Sequence, residues 1–289
     1  MSAKTVFIAN DGGLRCVWRL AFAYLGWFAL FICVSLITGS ALSAMFAAWG
    51  VNNRNLALTP LWVQYLAIYQ RHIAFGICGA LTAVAGILVC RKHTSPLPHP
   101  GMRTLSGFCA GMLSAALLTG IFLLTDSIRP ESTKPEFSAH IAIMLAYSLI
   151  LAIAEGAAAI GYARTMTAKH CGRVWSYIAA TLMLVIMNHS TVSSIMGLIN
   201  IAFVSVAGCC IAEKHGAAAY VGLRAGWLWA ETALAGYPGT TGSLFAVYPV
   251  SEHLITGGFY GLSEGLALTL CCASVIFFLL VYPCIRKRS

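Results

Sequence analysis

Four ionisable side chains interrupt long apolar runs of this sequence: Glu155, His189, Arg224 and Glu231. Inside hydrocarbon such groups are costly, so each needs a partner or a water-filled cavity. Their types allow two kinds of chemistry. A carboxylate beside an imidazole can take a proton from water. A guanidinium always carries donors and can hold a developing oxyanion. The same guanidinium can instead pair with the carboxylate and make it a poorer base. The pair then serves structure, tying two helices together.

Helical rise sets the heights of these groups. Glu155 precedes Arg164, at the edge of its run, by nine residues, or roughly 13 Å. Arg224 follows Gly216 by eight residues, or roughly 12 Å. Glu155 and Arg224 are therefore expected to meet. Glu231 follows Arg224 by seven residues, on the same face about two turns higher. His189 lies at a similar height, roughly 22 Å from Val174, and is expected to contact Glu231. A catalytic zinc takes three protein ligands. Glu155, His189 and Glu231 are the only such set in the runs, and their heights separate them. No metal is assigned, and a divalent ion such as zinc lacks three clear ligands.

The elements that must position these groups are apolar helices. Of the 289 residues, 59% are hydrophobic and 9% charged, and the mean hydropathy is +0.81. A soluble domain carries about a quarter charged residues. A bilayer is the solvent that fits. A span needs roughly 20 apolar residues, and eight runs are visible: Leu20–Ala48, Ile73–Cys90, Leu105–Thr125, Ile141–Ala163, Val174–His189, Ile195–Ile211, Gly216–Ala235 and Leu262–Ile285. Only Ser190–Ser194 separates the fifth from the sixth, as the turn of a helical hairpin or the break in a single helix. Asn52–Gln70, with Trp62, Tyr65 and Tyr69, reads as an interfacial helix, and Pro60 suits its first turn. Thr94–Pro100 and Ser127–Pro135 read as ordinary connectors. The fold class is all-α: a polytopic transmembrane helical bundle of about eight spans, one membrane domain over residues 1–289.

Basic residues fix the expected orientation. Lys4, Arg15, Arg19, Arg91, Lys92, Arg103, Arg164, Lys169, Arg173, Lys214, Arg286, Lys287 and Arg288 flank one set of run ends, against Arg54, Arg71, Arg129 and Lys134 on the other. Positive charge marks the cytoplasmic side, so both termini are expected inside, as an even number of spans requires. The net charge of +9 forms no single patch, which argues against nucleic acid. The first apolar run far exceeds a signal-peptide core and reads as a retained span. The 11 cysteines contain no C-x-x-C pair, so neither a zinc ribbon nor a redox motif is indicated. The histidines at 72, 93, 99, 140, 170, 215 and 253 fall at run ends or in loops and read as solvated. Glu252 and Glu264 read as surface charges.

At the four ionisable residues the chain resembles the CPBP family of intramembrane proteases, the CAAX-protease and bacteriocin-processing (Abi) proteins. The family's first motif, E-E-x-x-x-R, aligns with Glu155-Gly156-Ala157-Ala158-Ala159-Ile160, keeping the first Glu and placing Gly156 and Ile160 at the other two positions. The second, F-x-x-x-H, aligns with Val185 to His189 and keeps the His. The third, H-x-x-x-N, aligns with Arg224 to Leu228, where Arg replaces His, Leu replaces Asn and Trp227 is kept. Gly239–Gly242 and Thr256–Gly261 resemble the family's glycine turn and its T-G-G-x-F-G segment. The likeness covers residues 141–285.

The resemblance implies hydrolysis of a peptide bond in a membrane-associated substrate, glutamate- or metal-dependent. Glu155 would be the base, His189 its partner and Arg224 the oxyanion donor. Loss of the remaining motif positions implies instead a catalytically degenerate member. The expected partners are the lipid bilayer and a membrane-associated peptide or protein. The family analogy points to a bacterial inner membrane. Two other classes compete: a non-catalytic protein that binds a membrane peptide or bacteriocin, in the manner of an immunity protein, and a small-molecule transporter. No internal repeat of the transporter kind is visible.

Overall fold

A computed structural model describes residues 16–51, 60, 63, 73–82, 84–85, 100–130, 139–188, 194–237, 243–245, 247–250, 254–258 and 261–281. The chain there is mostly helical, as the apolar runs require. The helices are α1 (Cys16–Ala48), α2 (Ile73–Thr82), α3 (Pro100–Leu124), α4 (Ala139–Cys171), α5 (Arg173–Asn188), α6 (Ile195–His215), α7 (Ala217–Trp229) and α8 (Leu266–Ile276). α1, α3, α4 and α6 are long and apolar enough to cross a membrane. α2 and α5 are shorter apolar helices, as is Leu266–Leu279, which contains α8. Outward faces carry Leu25, Leu36, Ile37, Leu117 and Ile195, all exposed. In water a face of that composition would be an adhesive patch, and against lipid it is matched to its solvent. The protein is therefore an integral membrane protein by its apolar helices.

Local chemistry sets the helix ends. Gly172 and Gly216 stop α4 and α6 at φ 88° and 89°, a conformation that favours a residue without Cβ. The Ser194 side chain accepts from the Gly197 N–H at 3.0 Å and caps the start of α6. Tyr177, near the start of α5, reaches Cys210, near the end of α6, at 3.7 Å. The fifth and sixth runs are thus two antiparallel helices rather than one broken helix. In the Asn52–Gln70 segment only Pro60 and Val63 are described, and Val63 N–H donates to the Pro60 carbonyl at 2.9 Å. The rest of that expected interfacial helix lies outside the described residues.

One stretch expected to be a plain connector is ordered differently. Ile128–Pro130 forms a strand, β1, antiparallel to β2 (Val247–Pro249), with Ile128 opposite Pro249 and Arg129 opposite Tyr248. Asp126 makes the turn into it at φ 51°, which Asp tolerates better than most residues. The two prolines occupy strand ends, where a missing N–H is tolerated.

The bundle is tightest between α3 and α7. Gly107 and Gly111 on α3 face the Ala219 and Leu223 carbonyls, and Gly222 and Gly226 on α7 face the Thr104 and Phe108 carbonyls. A Cβ at any of the four would strike backbone. This is a reciprocal pair of G-x-x-x-G segments, the small-residue contact by which membrane helices approach closely. Around this pair lie two apolar clusters. One joins α1, α4, α5 and α6 through Trp27, Ile160, Leu184 and Met187, with Tyr220 from α7. The other joins α3, α7, α8 and the strands through Phe122, Ile128, Trp227 and Leu262.

Candidate functional site

Glu155 and Arg224 meet because glycines let three helices converge. α4 is α-helical to Glu155 and then widens into a π-helix over Gly156–Ala163. Such widenings are often found at functional sites. A Cβ at Gly156 would strike Val221 Cγ2 on α7. That close approach sets Glu155 beside Arg224, one turn further along α7. A Cβ at Gly208 of α6 would lie 2.5 Å from the Tyr220 ring, so Gly208 provides the seat for Tyr220.

The Glu155 carboxylate is fully buried and surrounded by donors. Arg224 Nε donates to Oε2 at 2.8 Å and Arg224 Nη2 to Oε1 at 3.3 Å. Asn188 Nδ2 donates to Oε1 at 2.9 Å, and the Tyr220 hydroxyl to Oε2 at 3.3 Å. A carboxylate has about four lone-pair sites. Protein donors fill all of them. The guanidinium lies along the carboxylate edge in the two-bond arrangement that suits arginine best. Asn188 is itself anchored to the Leu184 carbonyl at 3.0 Å.

Glu231 is held in the same manner one layer further along α7, where that helix continues as a π turn over Ala230–Leu234. It accepts from Ser263 N–H at 2.7 Å and from Trp227 Nε1 at 3.1 Å, and the Ser263 hydroxyl bonds to it as well. A Cβ at Gly261 would sit 2.9 Å from Glu231 Oε1. Asn200 of α6 donates to the Ser263 and Gly265 carbonyls at 3.0 and 2.8 Å. These bonds pin the 3-10 turn Leu262–Glu264 onto α6 and α7.

Both carboxylates face one cavity of about 220 Å³, lined also by Tyr147, Asn188, Asn200, Arg224, Leu228, Thr232, Ser263 and Glu264. Of the expected site residues, the structure brings Glu155, Arg224 and Glu231 to this cavity. The expected Glu155–Arg224 pair is made. His189 lies outside the described residues, and so does its expected contact with Glu231. Of the three residues expected to stand at substituted motif positions, Gly156 is the packing point against Val221, Ile160 is fully buried in the core, and Leu228 lines the cavity. Among the described residues no group of three His, Cys, Asp or Glu side chains is placed to hold a metal ion. Glu155 and Glu231 have their oxygens turned to protein donors, which is a poor fit for a zinc site.

Two expectations are corrected here. Glu264 is buried and lines the cavity, because the turn that carries it folds inward under the Asn200 bonds. His140 is also buried, bonded to the backbone of Thr232, so it is not a solvated run-end histidine. Sequence reasoning also missed Asn188, Asn200, Tyr220 and Ser263. Asn188 and Asn200 could have been found as amides inside apolar runs. Tyr220 could have been found as the residue one turn before Arg224 on the same face. Ser263 carried no signal, since its role depends on a turn set by distant contacts.

Compared with known proteins, the chain matches no family model, and no curated protein and no solved structure matches it.

Proposed function

We propose that this protein is a catalytically silent member of the CPBP type, crossing the membrane eight times with both termini in the cytoplasm, in which the ancestral hydrolytic centre has become a structural anchor. One observation carries the reading. All four acceptor positions of Glu155 are filled, by Arg224 twice, Asn188 and Tyr220. A general base needs a free lone pair within hydrogen-bond reach of the water it deprotonates, and Glu155 offers none. Arg224 commits its Nε and one Nη2 N–H to Glu155, so the carboxylate already neutralises the charge that an oxyanion would draw on. The motif changes agree with this. Gly156 cannot be enlarged to the family's second Glu without collision at Val221, and Leu228 puts an apolar wall where the family has an amide.

The cavity size argues in the same direction. At about 220 Å³ it falls below the roughly 300–1,000 Å³ of small-molecule pockets. It has room for several waters at roughly 30 Å³ each, not for a peptide segment with a bond to be cut. A second reading, binding of a membrane peptide without cleavage, would need that peptide to dock elsewhere on the bundle.

The test is a cleavage assay in proteoliposomes against a library of membrane-anchored peptides, read by mass spectrometry. The expected outcome is no cleavage above the level of empty vesicles, with Glu155→Gln indistinguishable from the parent. Cleavage by the parent that disappears in Glu155→Gln would overturn the proposal.

A further inference from the structure

The end of the bundle where α4 and α6 finish carries Arg103, Arg164, Lys169, Arg173 and Lys214. Glu213 is the one acid among the described residues there, and it pairs with Arg164 at 3.6 Å and Arg173 at 2.7 Å. Between α3, α6, α7 and α8 at this end lies a second cavity, of about 520 Å³. Its walls change character with depth. Arg103, Lys214 and His215 stand at the helix ends. One to two turns further in, Ala110, Leu223 and Val275 make a largely apolar wall, interrupted by the Ser106 and Ser274 hydroxyls.

The two cations at the rim are fixed and have donors to spare. Arg103 Nη1 donates to the His215 carbonyl at 2.9 Å, and Lys214 Nζ donates to the Leu279 carbonyl. Arg103 thus uses one of five donors and Lys214 one of three. Among the described residues neither has a carboxylate partner. Both bonds go to carbonyls near helix C-termini, which hold the side chains in place but carry only partial charge.

We infer that this groove holds an anionic glycerophospholipid, with its phosphate between Arg103 and Lys214 and an acyl chain along the apolar wall. Basic pockets between membrane helices suit anionic head groups. The apolar wall decides the rest of the ligand. A sugar phosphate or nucleotide would bring several hydroxyls against a wall that offers only the Ser106 and Ser274 hydroxyls, each already donating to its own helix, and would leave most of them with unmade hydrogen bonds. A lipid tail loses nothing there. The inference is independent of whether Glu155 is catalytic.

The test is native mass spectrometry of the full chain in detergent, titrated with phosphatidylglycerol and with phosphatidylcholine of matched acyl chains, and with glycerol 3-phosphate as a head group alone. The parent should retain phosphatidylglycerol over phosphatidylcholine and bind glycerol 3-phosphate far more weakly. Arg103→Gln and Lys214→Gln should each weaken phosphatidylglycerol binding about fivefold, and together roughly 25-fold. The charge-keeping pair Arg103→Lys with Lys214→Arg should retain the preference, which separates lost charge from lost fold. Val275→Trp, which fills the apolar wall, should weaken both lipids alike. Equal retention of the two lipids by the parent would overturn the proposal, as would a preference that survives the double Gln variant. Glycerol 3-phosphate binding as tightly as the lipid would assign the groove to a soluble phosphate instead.

Discussion

Gly156 shows how the absence of one side chain can set a helix contact. A Cβ there would collide with Val221. The same absence of a side chain lets α4 approach α7 and brings Glu155 to Arg224. Gly156→Ala is therefore expected to destabilise the protein by about 1–3 kcal/mol, the range for overpacking. Val221→Ala in the same chain should recover much of that loss, because the two sites share one contact. Melting temperatures of the two single variants and the double variant, in one detergent, check this. At this scale the sequence was partly legible. Glu155 and Arg224 stood out because charge is rare in apolar runs, and equal depth predicted their pairing. Asn188 and Tyr220 were passed over although their positions could have flagged them, because a neutral amide or phenol is less conspicuous in an apolar run than a charge. Glu264 and His140 were misread because both lie at the ends of runs, where sequence cannot tell a residue facing water from one folded under a turn.

The helix that positions everything is α7. It carries Tyr220, Arg224, Trp227 and Leu228, and continues to Glu231. Its own position is set by the four glycines it shares with α3. Replacing Gly111 with Leu should drive backbone apart along the whole contact and sharply reduce folded yield. Gly120→Leu is the control: it lies on the same helix with nothing within 4 Å of its Cβ position. That variant should remain within about 0.5 kcal/mol of the parent. Size-exclusion profiles and thermal melts of the two variants make the comparison. The G-x-x-x-G spacings were present in the sequence, but two such segments become a joint only when they are known to face one another. Hydropathy located the apolar helices among the described residues and could not supply that pairing. It also passed over β1 and β2, since three-residue strands containing proline leave no alternating pattern to read.

Across the whole molecule, polarity is arranged in depth. Among the described residues, one end is basic, the exterior is apolar, and a small cavity lies inside, with ion-paired and hydrogen-bonded carboxylates in a mainly apolar wall. Such an interior is tolerable in a bilayer because nearly every polar group in it has a partner. The cavity joins residues from α4, α5, α6, α7 and the turn before α8, so the bonds to Glu155 and Glu231 connect elements that sequence separates widely. The anchor reading follows from this arrangement. Removing one partner of a buried pair leaves an uncompensated charge, which costs about 3–5 kcal/mol, whereas replacing both by apolar residues is far less damaging.

The most direct measurement is a double-mutant cycle on Glu155 and Arg224, read as thermal stability of the purified protein with peptide cleavage followed in parallel. The account predicts that Glu155→Leu and Arg224→Leu each lower stability severely, that the double variant regains a large part of the loss, and that cleavage is absent throughout. Single variants that melt like the parent while abolishing a measurable peptidase activity would contradict it.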